Sequence, residues 1–555
     1  MDGIRVRYGC GTGDVRECLC SPGTEAESLF GELGIDRAET VALRINNAVM
    51  PVRARLEVNA DVETVTQASV DGRMIYRRSL AFLLALAARR LFPDRVLQVG
   101  HSLGYSYFYN FTAGSRVEPE EIAALDREMR RLVGENLEIT FKYLSYADAL
   151  RCFTEEGRED MALLLEQRSS SPVKVNECGG FLDLYVEPLV PNTGFLSVFA
   201  LLPYEEGFLL RFPGGKTNEL GEFADEPKVF EVYREYKKWG RIIGVRVVGE
   251  LNALIGSGRA GDFIRMAEAH QARKIAEIAE RIYARRDAVK AVLLAGPSSS
   301  GKTTTAKRLS IELMVMGLKP IAISLDSYYV GRDKTPLDEE GEPDYESLYA
   351  LNIEHLNLQL KELCSGGEIR LPLYDFKTGV SAKDAGAGIA MDRRTVLIIE
   401  GIHALNDELT PAIPREAKFK LYVSALTQLI LDNHNRIPTS DNRLLRRIVR
   451  DARFRANDAG RTISMWPKVT AAERRHIFPF QNTADVAFNS ALDYELPVLK
   501  QFAEPLLRAV KPDRREYAEA SRLLSFLENF APIGPERIPG ISLLREFIGD
   551  SEFKY

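Results

Sequence analysis

The sequence predicts a multidomain protein with α+β modules first, a mostly helical stretch next, and a doubly wound α/β domain after it. At 555 residues the chain is too long for one ordinary hydrophobic core. Its composition of 45% hydrophobic and 27% charged residues is typical of globular proteins. From residue 289 onward, apolar runs alternate with helical stretches, which indicates a parallel sheet covered on both faces.

Short strand patterns around residues 4–8 and 41–45, with a helical pattern at 25–33, predict a small α+β module at the front. Amphipathic helices at 78–91 and 120–136 then lead into a strand-rich stretch from 181 to 212. Changes in composition, including the Pro-Gly-Gly linker at 213–215, predict five segments: 1–62, 63–213, 214–288, 289–490 and 491–555, the last a helical extension.

Charge and composition narrow the function classes. The net charge of −6 disfavours a protein built mainly to bind nucleic acid, without excluding it. No stretch approaches the ~18 apolar residues of a membrane span, and the first residues lack the apolar core of a signal peptide. We therefore expect a cytoplasmic protein with reduced thiols and no membrane partner. The six cysteines form no C-x-x-C pair, so zinc is not indicated.

One motif matches the phosphate-binding loop pattern G-x-x-x-x-G-K-[ST] at every fixed position. An apolar run at 291–295 precedes it, and a helix-forming stretch begins at Thr304. Backbone N–H groups at such a helix start bind phosphate oxygens, so the motif predicts a nucleoside triphosphate site for ATP or GTP. Lys302 would contact the β- and γ-phosphates, and the Thr303 hydroxyl would bind Mg²⁺. The predicted nucleotide-binding residues are Gly296, Pro297, Ser298, Ser299, Ser300, Gly301, Lys302, Thr303 and Thr304.

Two carboxylates follow predicted strands of the same domain. Asp326 comes after the strand at 320–325, and Glu400 after the strand at 396–399. In a doubly wound sheet the ligand lies beyond the carboxyl ends of the strands, so both are expected near Lys302. Phosphoryl transfer to a hydroxyl needs a base and Mg²⁺, which makes Asp326 the candidate base and Glu400, with Asp326, a candidate metal ligand. Either residue alone is equally well explained as a helix cap or turn former.

A series of arginines follows between residues 443 and 461. One interpretation is an exposed basic helix, and the other is a mobile lid whose guanidinium groups stabilise the transferring phosphate. The series comprises Arg443, Arg446, Arg447, Arg450, Arg453, Arg455 and Arg461.

Residues 289–490 resemble the uridine kinase/phosphoribulokinase family, most of all its uridine–cytidine kinases. The resemblance is carried by six ordered blocks: the phosphate-binding loop, 325–329, 371–376, 399–402, 446–451, and 478–480 with 484–486. It implies phosphoryl transfer to a small-molecule hydroxyl, with Asp326 as the base for a sugar 5′-hydroxyl. It also implies the following roles: Tyr374, Arg447 and Arg461 at the acceptor, Asp344 or Glu346 on ribose hydroxyls, Arg450 and Arg455 on ATP phosphates, and Glu400 on Mg²⁺.

The departures from this family concern the acceptor. Gly379 stands where pyrimidine kinases usually carry a histidine that contacts the base, and Trp466-Pro467 replaces a Gln-Tyr pair. Trp466 would either stack on a base or pack the arginine segment onto the sheet. A nucleoside such as uridine or cytidine is the favoured acceptor, and a sugar, polyol or vitamin-like alcohol is the alternative.

Residues 1–213 resemble the amino-terminal half of threonyl-tRNA synthetases, a TGS module followed by an editing domain. The resemblance is carried by 76–85, 90–94, 100–111 and 180–194. The metal-capable positions of the editing family read Arg78, Phe82, Tyr185 and Leu189 here, so an editing reaction is not expected. The front half could gate the kinase site, contact RNA as part of a nucleotide switch, or provide a platform for a homo-oligomer.

Overall fold

The structure is a computed structural model that describes residues 3–9, 15–112, 116–167, 172–184, 188–215, 217–338, 341–375 and 378–554. Its front module is a five-stranded sheet in the order β2-β1-β7-β4-β5, in which β1 and β7 are parallel. Along β1, buried and exposed residues alternate, so one face of the sheet covers a small core. The elements are β1 Ile4–Gly9, β2 Val15–Cys20, β3 Thr24–Glu25, α1 Phe30–Leu33, β4 Thr40–Ile45, β5 Ala48–Met50, β6 Arg55–Leu56 and β7 Ala60–Thr66.

The second module surrounds one long buried helix, α2, with two antiparallel sheets of order β13-β14-β9-β8 and β10-β11-β12. The elements are α2 Val70–Leu91, β8 Leu97–Ser102, β9 Ser106–Phe111, α3 Pro119–Glu135, β10 Thr140–Leu144, α4 Tyr146–Glu155, α5 Glu159–Glu166, β11 Val173–Cys178, β12 Phe181–Asp183, β13 Ala200–Tyr204 and β14 Gly207–Arg211.

Three helices connect this module to the α/β domain. They are α6 Pro227–Ile243, α7 Val248–Gly256 and α8 Ala260–Ala284.

The α/β domain is built on a five-stranded, fully parallel sheet in the order β16-β21-β15-β22-β23. Its elements are β15 Ala291–Ala295, α9 Lys302–Val315, β16 Lys319–Ser324, α10 Ile353–Cys364, β17 Glu368–Arg370, β18 Leu373–Asp375, β19 Val380–Ala382, β20 Gly388–Ala390, β21 Thr395–Glu400, β22 Lys418–Ser424, α11 Thr439–Phe454, α12 Ala459–His476 and β23 Val486–Asn489.

Successive residues of β15 and β21 point to opposite faces of this sheet, and both faces are covered. Val292 and Leu294 pack with α8 and α9 on one side. Leu293 and Ile399 pack with α6 and α10 on the other. Burial of the parallel sheet on both faces therefore explains the near-continuous apolar runs of the sequence, as predicted.

Three further helices complete the chain: α13 Glu495–Arg508, α14 Tyr517–Leu527 and α15 Arg545–Ile548. They share one apolar core with α7, α8, α11 and α12. This helical core lies against the phosphate-binding loop, since Leu543 lies directly against Gly301.

The predicted fold class, α+β modules followed by a doubly wound α/β domain, is confirmed. One helix is longer than predicted: α2 begins at Val70, where the Ser69 hydroxyl accepts the N–H of Gly72, and not at residue 78. In the described part of the chain, Cys18, Cys20, Cys152, Cys178 and Cys364 are free thiols. No helix in the described ranges is long and apolar enough to cross a membrane.

Candidate active site

The phosphate-binding loop joins the end of β15 to the start of α9, as predicted. A Cβ on Gly296 would lie 1.9 Å from the carbonyl oxygen of Val423, so only glycine fits there. Gly301 has a φ of +80° and places the helix start correctly. The hydroxyl oxygens of Ser299 and Ser300 are buried and, within the described ranges, have no hydrogen-bond partner. A loop with glycines at both ends and unpaired inward hydroxyls suits an oxyanion ligand.

Lys302 and Thr303 begin α9 beside the neighbouring strand β21. The Lys302 Nζ donates to the Pro297 carbonyl at 3.0 Å and so folds back over the loop. The Thr303 Oγ1 lies 3.1 and 3.2 Å from the two carboxylate oxygens of Glu400. A hydroxyl and a carboxylate are hard oxygen ligands, and this pair suits Mg²⁺ held together with substrate phosphates.

Burial raises the pKa of Glu400 to about 7, with Asp326 adding to the rise and Lys302 opposing it. These effects show that the three side chains share one electrostatic environment. Their strands β16, β21 and β15 are adjacent in the sheet, so their carboxyl ends bring together the residues that the sequence predicted.

Asp326 lies in a 3-10 helix, Leu325–Tyr328, directly after β16. Its side chain reaches solvent through the cleft, but the cleft walls remove part of its hydration and raise its pKa. Lys302, Arg455 and Arg450 act in the opposite direction. A carboxylate facing three cations is placed to accept a proton from a hydroxyl bound between it and a phosphate.

The helix α11 is neither exposed nor free of contacts, because most of its residues are buried. Arg446 is fully buried and binds Glu495 at 2.5 Å, while also donating to the Ser299 carbonyl at 3.2 Å. Arg443 binds Glu473 at 2.6 and 2.8 Å and donates to the Ser298 carbonyl at 3.1 Å. The interpretation as an exposed basic helix is therefore wrong, because these two arginines are buried and donate hydrogen bonds to carbonyl groups of the phosphate-binding loop.

Arg447 and Arg450 of α11, and Arg455 directly after this helix, gather around one acid. Asp451 is buried and contacts Arg450 at 2.8 Å, Arg447 at 3.3 Å and Arg455 at 3.8 Å. Arg447 also donates to the Ser298 hydroxyl at 2.8 Å. One carboxylate thus positions three guanidinium groups beside the loop and leaves the group an excess of positive charge.

Three of the predicted acceptor residues, Tyr374, Asp344 and Glu346, lie around Tyr329 near Asp326. The Tyr374 ring lies 5.4 Å from the Tyr329 ring, which lies 6.4 Å from the Tyr345 ring. Burial raises the pKa of Tyr329, and Asp326, Glu346 and Asp344 all add to that rise, so they lie nearby. Burial also raises the pKa of Glu346, which faces Arg447 and Lys302. Aromatic rings and carboxylates therefore line one cleft beside the phosphate-binding loop.

Two residues singled out in the sequence lie elsewhere. Arg461 is exposed in the first turn of α12, where its backbone N–H donates to the Asp458 carboxylate at 2.6 Å. Trp466 is buried in the helical core, with the Arg443 guanidinium 5.2 Å from its ring. Trp466 is therefore a packing residue, but it packs among helices and not onto the sheet.

Sequence reasoning missed four acids that organise the site: Asp451, Glu473, Glu495 and Glu546. Asp451 carries a usable signal, since it lies four residues from both Arg447 and Arg455. Glu473 accepts the N–H of Ser298 at 2.8 Å, and Glu546 accepts the N–H of Thr304 at 3.2 Å. The contacts of Glu473 and Glu546 join distant parts of the chain, and no local sequence pattern predicts them.

In the front half, two of the four positions that correspond to the metal-capable ones of the editing family carry buried apolar side chains. Phe82 is buried 5.3 Å from the Phe181 ring, and Leu189 is buried in the same core. Arg78 is near Glu519 of α14. Tyr185 lies outside the described residues. In the described ranges no group of three or more His, Cys, Asp or Glu side chains could hold a metal ion.

A segment between β22 and α11, residues 430–437, enters this front half. The Val99 N–H donates to the Asn433 carbonyl at 2.8 Å, and the Asn433 N–H donates to Asp160 at 2.7 Å. His434 Nδ1 lies 2.5 Å from an Asp183 oxygen and 2.9 Å from Arg158 Nη1. The two halves are thus joined by buried charged groups directly before the arginine helix.

Residues 291–496 match the Phosphoribulokinase / Uridine kinase family. A solved structure described as a possible uridine kinase from Bacillus stearothermophilus is 21% identical, covers 39% of this chain and 98% of that chain, and has a TM-score of 0.28. The family match supports a small-molecule kinase that uses a nucleotide phosphate donor.

The amino-terminal region matches threonine–tRNA ligases. The ligase of Acidithiobacillus ferrooxidans is 32% identical over 169 residues, which are 30% of this chain and 26% of the ligase. That of Maridesulfovibrio salexigens is 37% identical over 142 residues, 26% of this chain and 22% of the ligase. The chain therefore spans about a quarter of the length of these relatives.

Proposed function

We propose that the protein transfers the γ-phosphate of ATP or GTP to a hydroxyl group of a small molecule, with a nucleoside 5′-hydroxyl as the favoured acceptor. One observation carries the proposal. Three adjacent parallel strands bring Lys302, Glu400 and Asp326 to one cleft, with Arg450 and Arg455 facing the same carboxylate. This is the set of charges that phosphoryl transfer to an alcohol requires.

The residues have distinct roles in this proposal. Backbone N–H groups of residues 299–304 and Lys302 bind the triphosphate. Thr303 and Glu400 would hold Mg²⁺, which would supply positive charge to neutralise the phosphates. Asp326 accepts the acceptor's hydroxyl proton, and Arg450 and Arg455 stabilise the charge of the transferring group.

The aromatic cleft supports a flat acceptor. The rings of Tyr345 and Tyr374 lie close to the ring of Tyr329, which is near Asp326, and a nucleobase stacks well on aromatic rings. Asp344 and Glu346 supply acceptors for sugar hydroxyls from the same side. One observation favours a sugar or polyol instead: Gly379 offers no side chain to a base, and the Arg332 side chain lies against it.

The test is ADP release by purified protein with a panel of nucleosides, sugars and polyols. Turnover with a nucleoside supports the favoured acceptor, and turnover only with another alcohol replaces it. We expect Asp326→Asn to lower kcat by about 10²–10⁴-fold while nucleotide affinity is kept, because the base is lost and the loop is intact. The matched control is Asp287→Asn, an exposed carboxylate that precedes the amino end of β15. Full turnover by Asp326→Asn would remove Asp326 from the mechanism.

A further inference from the structure

The segment 539–554, called here the Glu546 segment, packs on the phosphate-binding loop and on the helix that follows it. A Cβ on Gly301 would meet the Leu543 side chain at 2.5 Å. The Phe547 ring lies 4.9 Å from the Arg446 guanidinium, and Lys307 Nζ donates to the Lys554 carbonyl at 2.7 Å. Leu543 and Phe547 are fully buried. The segment is therefore docked along the whole first half of α9.

Within this segment, Glu546 takes hydrogen bonds that a nucleotide would need. Its carboxylate accepts the Thr304 backbone N–H at 3.2 Å and also the Thr304 hydroxyl. Thr304 follows the Lys-Thr pair of the motif, so its N–H is one of the helix-start donors that cradle the α- and β-phosphates. Glu546 also interacts electrostatically with Lys302 and Glu400. A carboxylate thus occupies part of the phosphate site.

Two acids contact the loop, and their surroundings differ. Glu473 bonds to Ser298 but is neutralised by the buried Arg443. Glu546 is half-buried, and in the described ranges no guanidinium lies within ion-pair distance of it. Its hydrogen-bond partner is Thr304, which lies at the helix start that would bind phosphate. A bound phosphate would compete for the same donors and would repel the carboxylate.

We infer that the Glu546 segment is an intramolecular competitor of the nucleotide: Glu546 must leave Thr304 before the phosphates can bind fully. The proposal rests on the nucleotide site of the proposed function. It makes the apparent nucleotide affinity depend on how often the segment is closed. A segment closed about 90% of the time weakens the apparent affinity by about tenfold.

The experiment compares wild-type protein, Glu546→Gln and the exposed control Glu552→Gln for binding of a fluorescent N-methylanthraniloyl-ATP. We expect Glu546→Gln to bind about tenfold more tightly, since a neutral amide competes poorly for an N–H donor and no longer repels phosphate. Glu552→Gln should match the wild type. In the wild type, ATP should also speed amide hydrogen exchange within residues 539–554.

Each outcome decides between the two proposals. Equal or weaker binding by Glu546→Gln, or slower exchange of residues 539–554 with ATP, overturns the competitor and leaves the kinase proposal standing. Absence of nucleotide binding in both the wild type and Glu546→Gln overturns both.

Discussion

The buried pair of Arg446 and Glu495 makes a quantitative prediction about what holds the phosphate-binding loop in place. Arg446 has no exposed surface, and its guanidinium serves Glu495, the Ser299 carbonyl at 3.2 Å and the Ser490 carbonyl at 2.9 Å. Arg446→Met keeps the length of the side chain but leaves a buried carboxylate without its cation. Breaking a buried pair in this way costs about 3–5 kcal/mol of folding free energy. That is a large part of the ~5–15 kcal/mol typical of a domain.

Urea unfolding followed by tryptophan fluorescence measures this cost. The chain has two tryptophans, and Trp466 lies in the core that contains Arg446's neighbours. The control is Arg453→Met on the same helix, whose exposed contact with Asp550 at 3.6 Å should change stability by less than about 1 kcal/mol.

A double variant separates the pair from its surroundings. Adding Glu495→Gln to Arg446→Met removes the unpaired charge, so the two costs should be less than additive by about 1–3 kcal/mol. A loss below about 1 kcal/mol in Arg446→Met, or strict additivity in the double variant, would refute the reasoning. It would mean that water or a rearrangement satisfies Glu495.

Two further predictions concern charges outside the loop. Burial raises the pKa of Asp493 to about 7, so ionising this carboxyl opposes folding, and the wild type loses stability as pH rises from about 4 to 7. The stability of Asp493→Asn relative to the wild type should therefore increase by about 2–3 kcal/mol between pH 5 and pH 8. The exposed control Asp513→Asn should show no such increase. Arg158→Met should cost about 3–5 kcal/mol and speed hydrogen exchange in residues 430–437, because it leaves buried acids unpaired, while Arg151→Met, on an exposed pair, should do neither.

The fold and the centre of the site were predictable from the sequence because they depend on local rules. Glycine is needed at 296 by a close backbone contact and at 301 by a positive φ, and Asp326 and Glu400 follow strands whose carboxyl ends must meet. The burial of α11 was not predictable. A run of arginines has the same pattern on a solvated helix as on one whose partners, such as Glu495, come from another helix.

The Glu546 contact shows the same limit in a stronger form, since it joins residues 242 positions apart. Nothing in a four-residue helix rich in apolar side chains indicates that its one carboxylate faces a phosphate site. The contact between Glu546 and the phosphate site exists only because the segment docks on α9.

Residues 430–437 connect the front half directly to the arginine-rich helix α11. Residues 430–437 are held by Asp160, Asp183 and Arg158 of the front half, and α11 begins two residues later. Arg443, four residues into α11, contacts the Ser298 carbonyl of the phosphate-binding loop. The segment anchored in the front half therefore leads within two residues into the helix whose side chains contact the loop. Because of this connection we propose that the front half gates the nucleotide site, in preference to the RNA-binding and oligomerisation alternatives.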